Sequence, residues 1–166
     1  MAILIAIPIL IGLSMLQTSL VSQFPLLRGT ADLLLLAVVA WSLQKRVTTA
    51  LHWGVIAGLI VTYISALPFG VALIAYSLAA VIGSQLRRLV WQVPILAMFV
   101  ATFAATVLLH AISYTAVRIT GTSIPLGTVI NIITLPSLLL NMFFALPAYA
   151  LLSDLAGWLY PEELEV

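Results

Sequence analysis

Thr102, Thr106, His110, Tyr114 and Arg118 follow one another at intervals of four within a long apolar stretch. On a helix that spacing lines up one face. Two hydroxyls, an imidazole, a phenol and a guanidinium set among aliphatic residues have three uses open to them: bonding a neighbouring helix, lining a small-ligand pocket, or docking a partner segment. A facing set comes from Asn131, Thr134, Ser137 and Asn141, which fall within about 120° of arc on a helix of roughly 100° per residue. Arg28 and Asp32 are also four apart. If helical, they neutralise each other and Asp32 gains from the helix N-terminus. The alternative is that Asp32 accepts hydrogen bonds that fix a loop or a partner. His52, beside Trp53 and close to Lys45 and Arg46, reads as a headgroup-level side chain and a poor ligand.

Reaction chemistry lacks its parts. The chain holds no HExxH, no GxSxG with a distant histidine and acid, no P-loop and no paired intramembrane carboxylates. Outside the acidic tail Glu162, Glu163 and Glu165, the acids are Asp32 and Asp154. The span count below sets those two on opposite sides of a membrane, whereas acid–base work needs both around one substrate. The absence of a mid-depth charge speaks against proton-coupled transport. With no cysteine, disulfides, thiol nucleophiles and thiolate metal sites are excluded. A net charge of +1 from scattered Lys and Arg offers nucleic acid no continuous electrostatic track. No catalytic residue, metal or cofactor is expected.

The elements that must position these residues are membrane helices. The 166 residues are 64% hydrophobic and 7% charged, against about a quarter charged in a soluble domain. Apolar stretches occur at about 3–21, 31–43, 49–67, 69–86, 93–117 and 127–158, and each crossing needs roughly 20 apolar residues. The expected fold is therefore one all-α integral membrane domain, a compact bundle of about six transmembrane helices. The first stretch lacks a basic n-region and is too long for a signal h-region, so it belongs to the mature protein. The second is short, and the residues Pro25-Leu26-Leu27-Arg28-Gly29-Thr30 before it predict an irregular segment that protein must cover. Leu67-Pro68-Phe69-Gly70 reads as a tight helical hairpin. Pro136 and Pro147 predict kinks or a broken start in the last stretch, with residues 122–136 partly re-entrant.

Lys45, Arg46, Arg87 and Arg88 fall in loops on one side, Arg28 and Arg118 on the other. The positive-inside rule then places both termini in the cytoplasm. Trp41, Trp53, Trp91 and Trp158 fall at the same cytoplasmic level, where indole rings favour the headgroups. Ala50, Gly54, Gly58, Thr62 and Ala66 form a ladder of small residues at intervals of four, a face on which another backbone approaches closely, either within the bundle or from another subunit. Ala75, Ala79 and Gly83 repeat the device one stretch later, and the two faces are suited to meet.

In the order and spacing of several segments the chain resembles MreD, the small membrane protein of the bacterial rod-shape system. These are Arg28-Gly29-Thr30-Ala31-Asp32-Leu33-Leu34-Leu35, Gly54-Val55-Ile56-Ala57-Gly58-Leu59, Ser65-Ala66-Leu67-Pro68-Phe69-Gly70 and Leu135-Pro136-Ser137-Leu138-Leu139-Leu140-Asn141. Ala31 stands where that family usually has proline, and Thr62 where it has an acid. The resemblance implies a bacterial inner-membrane scaffold that binds MreC, supports RodA and its class B penicillin-binding protein in lateral peptidoglycan synthesis, and catalyses nothing. The family is similar in architecture to the six-helix S components of energy-coupling-factor vitamin transporters, which implies room for a pocket between spans. On this reading Arg28, Asp32, Gly54, Gly58, Thr62, Pro68 and Gly70 serve partner binding or bundle packing. Thr102, Thr106, His110, Tyr114, Asn131, Thr134 and Asn141 form the candidate polar pocket. The rival readings are a transporter S component, for which Ala2 and Ala6 give a minimal coupling face, and a lipid-binding protein using the Thr102 to Arg118 row for a headgroup.

Overall fold

A computed structural model describes residues 2–19, 21–23, 25–45, 47–89 and 93–160. Arg46, Trp91 and the acids Glu162, Glu163 and Glu165 lie outside these residues. The described residues form an all-helical structure: α1 (Ala2–Ser19), α2 (Leu33–Ser42), α3 (Ala50–Ile64), α4 (Val71–Leu89), α5 (Pro94–Ile119) and α6 (Leu126–Leu159), with a 3-10 turn at Val21–Gln23. Two of them, α5 and α6, are long and apolar enough to cross a membrane.

The shortest helix is the hub. α2 has 10 residues, about 15 Å at the rise of an α-helix, and it packs against each of the other five. Every residue from Leu34 to Ser42 is buried. Such a sequence, apolar on all faces, is stable only when surrounded. Asp32 supplies its N-cap: the carboxylate accepts from the Leu35 N–H at 3.0 Å, occupying one of the amide donors that a helix start leaves open.

The small-residue ladder of α3 faces α4. A Cβ on Gly58 would stand 2.6 Å from the Leu73 Cα, and one on Gly54 2.8 Å from the Tyr76 carbonyl and 2.9 Å from the Ala80 Cβ. α4 therefore fills the space these glycines leave. Gly83 faces elsewhere: a Cβ there would overlap the Ser42 hydroxyl at the end of α2. The two small faces thus meet only in part, because α4 packs against both α3 and α2 and gives each a different side. Between α3 and α4, Gly70 adopts φ +84°, a left-handed conformation that glycine accepts at no steric cost, and the Val71 N–H closes the turn on the Pro68 carbonyl at 3.2 Å.

One expectation is corrected, and one open alternative is decided. Trp41 and Trp53 are fully buried and stacked, with ring centroids 4.3 Å apart. They sit at the expected end of the bundle but form part of its core, while Trp158 is 74% exposed. Arg28 and Asp32 form no helical pair. Leu26 and Gly29 exchange backbone hydrogen bonds around Leu27, which has φ +57°, so the chain from 28 to 32 is a turn leading into α2 and Arg28 is exposed. The start of α6 is irregular, as Pro136 predicts: the helix passes from Leu126–Val129 through a π-helical stretch at Ile130–Thr134 into Leu135–Leu159.

At the Trp41 end, the Arg87 guanidinium donates to the Gln44 carbonyl at 2.5 Å and the Val47 carbonyl at 2.8 Å. Lys45 and Arg87 therefore share one end of the bundle. Tyr160 lies beside Trp41, with ring centroids 6.4 Å apart, so α6 finishes there too.

Candidate functional site

The opposite end of α2 gathers the polar chemistry. Proline lacks an N–H, so Pro136 leaves the carbonyl four residues earlier, that of Ile132, without its helical donor. The Arg28 N–H fills that vacancy at 3.2 Å. Close approach is possible because the next residue is Gly29: a Cβ there would stand 2.5 Å from the Ser137 nitrogen and 2.7 Å from the Ile133 carbonyl. The linker before α2 is docked along α6 by two further bonds. The Thr30 N–H donates to the Ser137 Oγ at 3.1 Å, and the Asp32 N–H to the Asn141 Oδ1 at 2.7 Å. On its other side the Leu33 N–H donates to the Gln17 Oε1 of α1 at 2.9 Å. An irregular backbone deep in an apolar bundle requires such partners.

Two networks leave this junction. Asn141 donates from Nδ2 to the Thr106 Oγ1 at 3.0 Å, linking α6 to α5. The Tyr76 hydroxyl of α4 donates to the Asp32 Oδ2 at 2.5 Å. Asp32 thus holds α2 to α4 with its side chain and to α6 with its backbone.

Beside the junction lies a cavity of about 320 Å³. Its polar lining is Asp32, Tyr76, His110, Ser113 and Tyr114. The remainder is apolar, from Val61 and Leu67 of the α3–α4 hairpin, Leu109 and Val117 of α5, and Ile124, Val129 and Ile133 at and before the start of α6. Tyr114 donates to the Ile124 carbonyl at 3.3 Å. Arg118 reaches the Tyr114 hydroxyl at 3.4 Å and lies 5.8 Å from the centroid of its ring.

The expected polar pocket therefore divides. His110 and Tyr114 line the cavity. Thr106 and Asn141 are buried and bonded to each other. Thr102 is buried, its hydroxyl without a hydrogen-bond partner, and is absent from the wall. Asn131 is exposed and Thr134 half-buried, neither lining the cavity. The reason is the length of the helices: residues four apart drift along the axis by about 6 Å per step, so a single row meets the core, the cavity and the surface in turn. Of the residues assigned to packing or a partner, Gly54 and Gly58 are buried against α4. Thr62 bonds back to the Gly58 carbonyl at 2.7 Å. Arg28, Pro68 and Gly70 occupy the turns at the Asp32 end. Tyr76, Ser113 and Gln17 were missed. A tyrosine in an apolar helix demands a partner for its hydroxyl, and that demand was the available signal for Tyr76.

Among the described residues no group of histidines and acids is placed to hold a metal ion. Asp154 is exposed near the far end of α6, separated from Asp32 by the length of the bundle. No protein family, curated protein or solved structure matches the chain.

Proposed function

We propose that this chain is a non-enzymatic, six-span membrane scaffold of the MreD type, which binds an MreC-like partner and supports lateral peptidoglycan synthesis in the inner membrane. The carrying observation is the junction itself. The segments that bear the resemblance, residues 28–35 and 135–141, lie more than 100 positions apart, yet they bond directly through Thr30 to Ser137 and Asp32 to Asn141. A linear pattern that resolves into one packed unit behaves as a set rather than as scattered common residues. The membrane reading is supported by the bundle's outer surface, where large apolar side chains along the helices, such as Leu4, Ile74, Phe103, Leu139 and Phe143, are exposed, more than a water-facing surface usually carries.

Because α4 fills the Gly54–Gly58 face, the partner surface of this reading lies elsewhere, at the Asp32 end around Arg28 and Pro68 to Gly70. The transporter reading is weakened by Ala6, which is buried within the bundle and cannot serve as an open coupling face. Co-expression with the MreC of the same genome tests the proposal. Stoichiometric co-purification in detergent is the expected result, reduced at least tenfold by Arg28→Glu with Phe69→Glu in a variant of unchanged melting temperature. Recovery of the folded chain without MreC overturns it.

A further inference from the structure

Asp32 is half-buried at the wall of the cavity, and among the described residues no cation is paired with it. Arg28, the basic residue nearest in sequence, is exposed, and the carboxylate accepts instead from neutral donors, the Tyr76 hydroxyl and the backbone N–H groups of Leu35 and Leu34. A carboxylate has about four acceptor positions, and these donors do not fill them all. A half-buried carboxylate without a counter-charge is costly in apolar surroundings and is a candidate functional site.

The cavity against which Asp32 lies supplies the rest of the argument. At about 320 Å³ it is roughly twice the 150 Å³ void that takes up benzene, and it falls at the small end of ligand sites. Its walls are largely aliphatic. A divalent metal ion needs on the order of six oxygen donors, which these walls lack. Of the two tyrosines on the lining, Tyr114 already carries the Arg118 guanidinium over its ring and Tyr76 bonds to Asp32, so the Asp32 carboxylate is the group on this wall that attracts a cation. Arg118 is outside the lining and engaged with Tyr114, so the cavity wall carries no permanent positive charge to receive an anionic headgroup.

We propose that this cavity binds a compact organic cation, a protonated primary amine on an apolar or aromatic body of about ten to fifteen non-hydrogen atoms. The ammonium pairs with Asp32, and the body lies against Val61, Leu109 and Ile133. This site is independent of the scaffold reading, since it needs no partner chain.

Three probes with one ring system and different head groups test it on the purified full chain in detergent at fixed salt: tryptamine, neutral tryptophol and anionic indole-3-propionate. Thermal shift and titration calorimetry are expected to rank tryptamine first, with tryptophol at least about tenfold weaker and indole-3-propionate silent. Asp32→Asn, which retains a capping oxygen, lowers tryptamine affinity about tenfold or more and leaves tryptophol unchanged. Should that variant fail to fold, Leu109→Trp narrows the cavity without touching the carboxylate and abolishes the tryptamine response. Equal binding of the three probes overturns the proposal. So does tryptamine binding that survives both substitutions, or a retained lipid in native mass spectra that tryptamine does not displace. Loss of MreC co-purification with intact amine binding, or the reverse, separates the failure of one reading from that of the other.

Discussion

Asp32 joins three elements through one residue: a cap on α2, an acceptor for Tyr76 of α4 and a backbone donor to Asn141 of α6. Removing either partner leaves a buried polar group alone, which costs more than the bond itself contributes. Tyr76→Phe is expected to lower stability by about 1.5–3 kcal/mol, the range for hydrogen bonds to charged groups, measured by unfolding in mixed detergent. Asn141→Leu strands both the Asp32 N–H and the Thr106 hydroxyl and is expected to cost about 2–5 kcal/mol in the same assay. The sequence marks Asp32, Ser137 and Asn141 as rare polar atoms in apolar surroundings, so their importance is legible without coordinates. Their pairing is not. Helical spacing says which residues share a face, but the turn around Leu27 takes residues 28–32 off any helix, and only the packed bundle shows which carbonyl Arg28 meets.

Helix boundaries follow closely from hydropathy, because a run of apolar residues ends where the chain must turn. The expected second stretch, 31–43, becomes α2 at Leu33–Ser42, and the fifth, 93–117, becomes α5 at Pro94–Ile119. Hydropathy is silent on orientation about the axis, which explains the error over Trp41 and Trp53: an indole at the right depth can face lipid or core. Interhelical packing gives a sharp element-level prediction. Gly58→Leu places a side chain where the Leu73 backbone already stands and is expected to force α3 from α4, lowering the detergent melting temperature by more than 10 °C. Gly12, around which a Cβ would meet nothing within 4 Å, is the matched control: Gly12→Ala is expected to leave melting unchanged or raise it, since alanine favours a helix by about 1 kcal/mol. At the other end Arg87→Ala removes donors from the Gln44 and Val47 carbonyls, loosening the α2–α3 connection, with faster proteolysis there as the expected readout.

Among the described residues α1, α3, α4, α5 and α6 pack around one buried rod, α2, and the apolar stretches of the sequence anticipate the surrounding helices better than the rod. A chain without cysteine is ready for single-site labelling. Cysteines at Lys45 and Arg88 are expected to react with an impermeant reagent from one face of the membrane, and cysteines at Tyr63 and Ile119 from the other. Labelling of Lys45 and Arg88 from opposite faces would contradict the proposed six-span arrangement. The bonds from Thr30 to Ser137 and from Asp32 to Asn141 also impose a schedule on biogenesis. The ribosome delivers the first partners of these bonds about a hundred residues before the second, so the nascent chain must shelter bare amides until its final helix arrives. A chain cut short before residue 126 lacks both acceptors and is expected to be degraded faster than the whole chain, a difference that pulse-chase labelling reads.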